Sequence, residues 1–222
     1  MSAVFTRKPG EDLLKNFFKS YKPVSYKTGD IILHPKDNIY SAHFVASGYI
    51  SQQIISENGE DFIVNIHRPG SYFPIALVLH GARNDYYYES LTDTVIYKAP
   101  IKDILTFLKN NPAAMEELLI RLSSGLNTLA SKTEALIFGT ASRKIAATLY
   151  FTAQRFGKKK SKELIIDFPL THKRIAAMTG VTRETASIEM MKLKKDNILS
   201  YQGKQVTVLD MVKLHRRCIC DD

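Results

Sequence analysis

The sequence predicts an α+β protein with three parts in chain order. An antiparallel β-roll of jelly-roll type is expected over residues 1–110, a long dimerisation helix over 111–138, and a winged helix-turn-helix over 139–222. Three observations support this order. Short β-rich runs alternate with turn residues in the first part. A heptad of apolar residues marks the second part, and two helix-like segments joined by a tight turn mark the third.

Composition and charge distinguish the two ends of this 222-residue chain. Up to residue 138 there are 14 Lys/Arg and 14 Asp/Glu, whereas the remainder holds 17 and 8 and so carries the whole net charge of +9. A neutral module joined to a basic one suits an effector domain attached to a domain that binds a polyanion. The chain has no apolar run near the roughly 20 residues of a membrane span and no signal-peptide core, so a cytoplasmic location is expected.

The first part of the chain is predicted to form one helix followed by strands. Leu13, Leu14, Phe17 and Phe18 fall on one helical face and predict a short amphipathic helix. From Tyr21 to about Pro100, β-rich runs are punctuated by Thr28-Gly29-Asp30, Ser47-Gly48, Asn58-Gly59 and Pro69-Gly70. Asn-Gly between two strand-like runs is a strong hairpin signal. The spacing of the runs favours an antiparallel sandwich or barrel.

Residues 101–110 look helical, and Asn111-Pro112 begins the long helix. Apolar residues recur there at alternating spacings of four and three, with Thr133 completing the series: Met115, Leu119, Leu122, Leu126, Leu129 and Leu136. Such an a/d heptad is typical of a two-stranded coiled coil and predicts a dimer interface. The alternative is a core helix packed on its own domain, and Leu118, Ile120 and Ala130 widen the stripe enough for both roles. Gly139 is expected to end the helix as a candidate hinge.

The basic part begins with a helix over Thr140–Phe156. A basic loop, Gly157–Lys162, and a short strand, Leu164–Phe168, are expected next. The helix-turn-helix follows, with helices over about Thr171–Met178 and from Thr182 onward. A hairpin over Leu199–Leu209, turning at Gln202-Gly203-Lys204, supplies the wing.

The second helix of this motif has two faces. Ala186, Met190 and Leu193 lie at i, i+4 and i+7 and predict its core face. Four outward residues are predicted to read base edges: Arg183, Glu184, Ser187 and Ile188. Arg suits guanine, Glu accepts from cytosine, Ser is permissive, and Ile packs on a thymine methyl. The alternative is that Arg183 and Glu184 are simply solvated residues of a first helical turn.

A second set of polar and basic residues is predicted to contact phosphates, which fix position without carrying sequence information. Its members are Thr171, His172, Lys173, Thr182, Lys192 and Lys204.

The cysteines, Cys218 and Cys220, lie near the C-terminus and cannot form a disulfide framework, which fits a reducing compartment. A metal or redox role beside His215 is a weaker interpretation than incidental thiols.

These motifs together resemble the Crp/Fnr family of bacterial transcription regulators over nearly the whole chain. YKTGDIILHPKDNIYSAHFVASGYI is similar to the family's opening β-roll. GVTRETAS is close to the family's G-x-[ST]-R-E-T-[VA]-S, which implies base reading by Arg183, Glu184 and Ser187. The sequence departs from the family at Ile188, where another base-reading Arg is frequent, and at Glu189, where an apolar residue is common.

The same resemblance bears on the ligand of the roll. Family members that bind cyclic AMP carry a phosphate cassette, F-G-E-x-[AL] followed by R-[ST]-A. Aligned with it, this chain has Pro74 for the Gly, Ile75 for the ribose-binding Glu, Asp85 for the phosphate-binding Arg and Tyr86 for the Ser/Thr. A carboxylate repels a phosphate, so we expect no binding of cyclic nucleotides. Arg83 replaces the lost cation only if the loop register shifts.

The candidate effector pocket is therefore apolar and aromatic, with Phe73, Ile75, Arg83, Tyr86 and Tyr88 as its predicted residues. It either receives an apolar or aromatic ligand or is a filled core, and the sequence leaves both open. The N-terminus lacks the cysteines of an iron–sulfur sensor, and His67 and His80 are weak candidates for a haem ligand. No cofactor and no metal site is predicted.

The main hypothesis is a homodimeric regulator on a pseudo-palindromic duplex, without enzymatic activity. Its effector, the sign of regulation and contact with RNA polymerase are left open. One alternative is a cupin-like metal-dependent enzyme, although His34, His43, His67 and His80 show no H-x-H spacing. The other is a ligand-independent regulator with a degenerate sensor domain.

Overall fold

A computed structural model describes residues 11–56 and 59–219 of the chain. These residues form two compact units. The first contains the chain up to Gln52 together with Asn65–Asn127, and the second contains Gln53–Val64 together with the chain from Thr128 onward. Within the described residues, no helix is both long enough and apolar enough to cross a bilayer.

The elements up to the long helix are, in chain order, α1 (Glu11–Lys19), β1 (Pro23–Tyr26), β2 (Ile31–Leu33), β3 (Ser41–Ser47), β4 (Ile50–Ile55), β5 (Asp61–His67), β6 (Tyr72–Phe73), α2 (Ile75–His80), β7 (Tyr87–Ser90), β8 (Thr94–Pro100), α3 (Ile101–Asn110) and α4 (Pro112–Phe138). The strands form two four-stranded sheets, ordered β1-β8-β3-β6 and β2-β7-β4-β5. Strand β8 pairs antiparallel with both β1 and β3. The predicted antiparallel roll is confirmed.

Strand β3 is buried on both faces, and this explains how the roll acquires two cores. Val45 belongs to a cluster with Ile50, Phe73 and Tyr88, contributed by strands of both sheets. Phe44, on the opposite face of the strand, belongs to a second cluster formed mainly with helices. Because neighbouring strand residues point to opposite faces, a run of consecutive apolar residues serves both layers.

The second cluster shows why the helices lie beside the first sheet. Leu14 and Phe18 of α1, Ile104 and Leu108 of α3 and Leu118 of α4 are all buried there. The predicted N-terminal helix is confirmed, although Leu13 on that helix is exposed. Burial of a leucine or phenylalanine side chain contributes about 1.5–3 kcal/mol, so this cluster anchors the start of α4.

The elements after α4 are α5 (Ala141–Phe156), β9 (Gly157–Lys160), β10 (Glu163–Ile166), α6 (His172–Thr179), α7 (Arg183–Lys195), β11 (Leu199–Gln202), β12 (Gln205–Val208) and α8 (Met211–Ile219). Helix α5 packs against α6, α7 and α8. Strands β11-β12-β10-β9 form one antiparallel sheet. The helix-turn-helix and the wing, with its turn at Gly203, are confirmed.

In this part of the chain one local prediction was wrong and one helix was not predicted. The expected basic loop Gly157–Lys162 is largely a strand, because β9 forms an antiparallel ladder with β10 that satisfies its backbone groups. Its lysines suit an edge strand, where charge discourages pairing with another chain. Helix α8 was not predicted, although its Leu214 is fully buried.

Gly139 separates α4 from α5, as predicted. A Cβ atom at this position would lie 2.4 Å from the carbonyl oxygen of Ala135, a distance that real Cβ atoms do not reach. A side chain is therefore excluded unless the end of α4 shifts. Thr140 then caps α5 by accepting a hydrogen bond from the backbone N–H of Arg143.

Candidate nucleic-acid interface

The two helices of the helix-turn-helix begin and end at well-defined caps. Thr171 and Thr182 precede α6 and α7, and each hydroxyl oxygen accepts a hydrogen bond from the backbone N–H three residues later, at 3.2 Å. Gly180 ends α6 at φ 66° and ψ 31°, the left-handed conformation that glycine adopts without steric cost. The turn geometry predicted for this segment is confirmed.

The buried side of α7 is the one that its heptad-like spacing predicts. Ala186 and Met190 are fully buried and Leu193 is nearly so. Arg183 and Glu184 are exposed in the first turn, Ser187 is partly exposed, and Ile188 is 50% exposed. The predicted base-reading residues therefore lie on accessible parts of a helix whose opposite side is anchored in the core. Their contact with bases stays a prediction.

The threonine caps are compatible with the phosphate contacts predicted for them. A hydroxyl that accepts a backbone N–H keeps its own hydrogen for donation. Thr171 therefore retains a donor for a phosphate oxygen, whereas the hydroxyl of Thr182 lies 2.9 Å from that of Thr185 and shares a hydrogen with it.

The backbone carbonyl of Lys204, at the exposed turn of the wing, accepts a hydrogen bond from the backbone N–H of Leu170 at 2.7 Å. This bond ties the wing to the segment that leads into α6.

Two predicted phosphate-binding lysines are already paired with carboxylates. Lys192 Nζ lies 2.7 Å from Glu189 Oε1 on the same helix. Lys173 Nζ lies 3.3 Å from Asp61 Oδ2. Glu189 is 8% exposed, so Lys192 supplies the countercharge for a carboxylate that α7 buries. This pairing gives a physical reason for the acidic residue at a position where an apolar one is common in the family.

The ring of Tyr201 in β11 joins the wing to both helices, which the sequence analysis missed. Lys194 Nζ of α7 lies 4.6 Å from the centre of this ring. The imidazole of His172 in α6 meets it edge-on at 5.6 Å. A cation over an aromatic face contributes about 0.5–1 kcal/mol at exposed sites. The available signal in the sequence was a tyrosine in the first strand of the wing. This strand lies at the edge of its sheet, where a long aromatic side chain is able to contact the neighbouring helices.

The predicted dimer face divides along α4. Met115 and Leu122 are partly buried against the helix-covered core of the roll. Leu119, Leu126 and Leu129 are 56%, 67% and 46% exposed, and Leu136 is partly buried. Ile137 and Phe138 add two exposed apolar side chains that the heptad did not include. The stripe thus contains residues packed on the roll and residues left exposed, and the dimer contact of the exposed ones stays a prediction.

The predicted effector-pocket residues do not share one environment. Phe73 and Tyr88 stack inside the roll with ring centres 5.2 Å apart, and Tyr86 packs on the same cluster. Ile75 is buried in the other cluster, among the helices. Arg83 is exposed and lies outside both clusters. As a pocket lining, the set stays a prediction.

Two buried imidazoles lie beside this aromatic pair. The rings of His43 and His67 are centred 4.9 Å and 5.2 Å from that of Phe73. His43 Nε2 bonds to the hydroxyl of Ser41 at 2.8 Å, whereas its Nδ1 is buried without a hydrogen-bond partner. Burial, assisted by the charge of Lys98, lowers the pKa of His43 to about 3. The ring is therefore neutral in the folded protein at ordinary pH.

The remaining histidines and the cysteine that the structure describes lie in separate places. His34 packs edge-on against Tyr87, and His80 is exposed at the end of α2. Among the residues that the structure describes, no three His, Cys, Asp or Glu side chains are grouped to hold a metal. Burial raises the pKa of the Cys218 thiol to about 11, with Arg143 opposing the shift. Cys220 lies outside the described residues.

Comparison with known protein families and proteins identifies both parts of the chain. Residues 23–111 match the model of the cyclic nucleotide-binding domain, and residues 143–217 match the Crp-like helix-turn-helix domain. The global nitrogen regulator of Nostoc sp. is 27% identical over 89% of this chain and 91% of its own length. The anaerobic regulatory protein of Aggregatibacter actinomycetemcomitans is 26% identical over 91% and 78%.

A solved structure shares the fold. A transcriptional regulator of the CRP/FNR family from Thermus thermophilus superposes with a TM-score of 0.72 at 23% identity. The match covers 89% of this chain and 98% of that protein.

We expect the buried His43 to make stability depend on pH. Its pKa is about 3 in the folded chain and near 6.5 when unfolded, so the unfolded chain binds more protons between these values. Stability is fully present above about pH 6.5 and is lost as the pH falls, by about 1 kcal/mol between pH 6 and pH 5. Urea unfolding at several pH values measures this slope.

The His43→Gln variant removes the titrating group and should flatten the slope in that window. His80→Gln, which removes an exposed imidazole, is the matched control and should leave the slope as it is. A His43→Gln protein that retains the full wild-type slope would contradict the assignment.

Proposed function

Because the chain belongs to the Crp/Fnr family of DNA-binding transcription regulators, we propose that two copies of it read a pseudo-palindromic duplex through α7. In this proposal Arg183, Glu184, Ser187 and Ile188 face base edges in the major groove. Thr171, His172, Lys173, Thr182, Lys192 and Lys204 serve the phosphates. The protein is proposed to act in the cytoplasm as a regulator and not as an enzyme.

The observation that carries this proposal is the division of α7 into an anchored side and an accessible side. Ala186, Met190 and Leu193 fix the rotation of the helix about its axis, because turning it would expose them. The same rotation leaves Arg183 and Glu184 in the first turn of the helix accessible, together with Ile188 one turn further on. A recognition helix contacts base edges with its N-terminal residues, which are the ones exposed here.

The second copy is proposed to pack along α4. Leu126 and Leu129 are largely exposed on a helix of 27 residues, and Ile137 and Phe138 extend the apolar surface to its end. Leucines at a and d positions of a heptad are stabilised when each inserts between residues of a facing helix. A partner helix of the same sequence supplies this packing and sets two recognition helices side by side.

The roll is proposed to work without a cyclic nucleotide. Ile75, aligned with the ribose-binding Glu, is 5% exposed and packs among helices, so no carboxylate reaches a ribose from there. Asp85, aligned with the phosphate-binding Arg, is an exposed residue of the wrong charge. The aromatic rings of Phe73 and Tyr88 fill the interior beside His43 and His67. This packing favours a ligand-independent regulator as the second candidate function.

Titration calorimetry tests the ligand proposal directly. We expect no measurable heat of binding for cyclic AMP or cyclic GMP, because the anchoring cation is absent from the aligned position. Asp85→Arg restores a cation at that position and is the informative variant. Micromolar binding by the unaltered protein would contradict the proposal.

Base reading is tested with Arg183→Ala. Loss of a bidentate contact to guanine is expected to weaken binding by about 1–3 kcal/mol and to relax the preference at one position of each half-site. Selection from randomised duplexes, followed by fluorescence anisotropy, measures both effects. Lys109→Ala removes the same charge from α3 and should alter neither the preference nor the affinity by a comparable amount. An unchanged selected sequence for Arg183→Ala would rule out its role.

Dimerisation is tested with charged residues on α4. Leu126→Asp combined with Leu129→Asp places carboxylates on the proposed contact face and should convert the dimer to a monomer, because each would be buried without a partner. Sedimentation velocity measures the mass. Leu105→Asp, at a 40% exposed leucine of α3, is the control and should leave the dimer intact. A dimer that survives the double substitution would exclude this face.

A further inference from the structure

The outer part of the β4–β5 hairpin folds with the C-terminal elements. Residues Gln53–Val64 belong to the second compact unit, together with α5, the helix-turn-helix and the wing. Within this segment we call Asp61–Ile63, at the start of β5, the hairpin limb. Ile63 is 3% exposed, so the limb is anchored and does not project into solvent.

Three contacts hold the hairpin limb against helical elements of the unit. The carbonyl oxygen of Ile63 accepts a hydrogen bond from Lys132 Nζ of α4 at 3.5 Å. A ring carbon of Phe62 lies 3.9 Å from where a Cβ atom on Gly180 would stand, so this ring lies over the turn of the helix-turn-helix. Asp61 Oδ2 lies 3.3 Å from Lys173 Nζ, near the start of α6.

The side chains of the Asp61–Lys173 ion pair differ in their exposure to solvent. The side chain of Asp61 is 29% exposed, whereas that of Lys173 is 76% exposed. The lysine is therefore the more accessible partner of the pair, and the carboxylate is the more buried one. Burial, assisted by the charge of Arg155, lowers the pKa of Lys132 to about 8.

A carboxylate at this distance takes the position of a phosphate oxygen. Lysine binds phosphate as a point charge through N–H donors, and it binds a carboxylate in the same way. A DNA phosphate approaching Lys173 also meets the negative charge of Asp61, which repels it. The pair and the phosphate contact therefore compete for one ammonium group.

We propose that the hairpin limb is a built-in competitor of DNA, in which Asp61 holds Lys173 and must release it before α6 engages the phosphate backbone. This inference rests on the proposed phosphate contact of Lys173. It adds a device that connects a hairpin of the sensor half of the sequence with the affinity of the helix-turn-helix. Any event that moves the limb from Lys173 raises the affinity for DNA without altering the residues that face the bases.

The test uses the full-length chain and a fluorescent duplex of random sequence, about three helical turns long, because phosphate contacts do not depend on sequence. Asp61→Asn keeps the shape of the side chain and removes its charge. We expect it to tighten binding about two- to fivefold, the range of an exposed ion pair. Glu60→Gln removes the same charge from the neighbouring exposed residue and should tighten binding clearly less.

A second background isolates the contact. In a Lys173→Gln protein no ammonium group is left to compete for, so adding Asp61→Asn should tighten binding only by the small amount that Glu60→Gln does, through weaker repulsion of the phosphates. Equal gains for Asp61→Asn and Glu60→Gln in the unaltered chain would overturn the proposal, and so would an Asp61→Asn gain that is as large in the Lys173→Gln protein as with Lys173 present. If the unaltered chain fails to bind the duplex even at about 50 mM salt, the phosphate contacts of the proposed function fail instead.

Discussion

The packing of α7 against α5 and α6 is the constraint on which the interface depends. Ala186, Met190 and Leu193 are removed from water on one side of the helix, and each buried apolar side chain adds to the free energy that resists rotation. Gly180 helps to set the direction in which α7 leaves α6, because its left-handed backbone ends α6 and turns the chain toward the cap of α7 at Thr182. With the axis and the rotation fixed, the exposure of Arg183 and Ile188 follows.

Helix α4 is buried against the roll at its start and exposes apolar side chains further along. At its start, Leu118 is part of the helix-covered core, and Arg121 donates to Glu117 at 2.7 Å while its guanidinium lies over the ring of Tyr72. Further along, Leu126 and Leu129 have no comparable cover among the described residues. The first turns are fixed by the chain's own roll, and the later turns present the apolar surface that a second copy is proposed to cover.

The interior of the roll and the hairpin limb differ in what a structural change at each of them requires. Phe73, Tyr88 and the neutral imidazole of His43 fill the interior with rings, so a response there requires these rings to repack. The limb is instead proposed to act through one ion pair at the protein surface. A weak surface pair is readily exchanged, which suits a competitor better than a permanent lock.

The sequence by itself determined the order of the parts, the winged helix-turn-helix and the core face of α7, because apolar periodicity and glycine turns are local properties of the chain. It did not determine that Gly157–Lys160 is a strand, since that depends on pairing with β10, or that α8 exists. The scattered environments of Phe73, Ile75 and Arg83 and the meeting of Asp61 with Lys173 were decided by tertiary structure. Contacts between residues distant in sequence arise from the folding of whole layers, which no local pattern encodes.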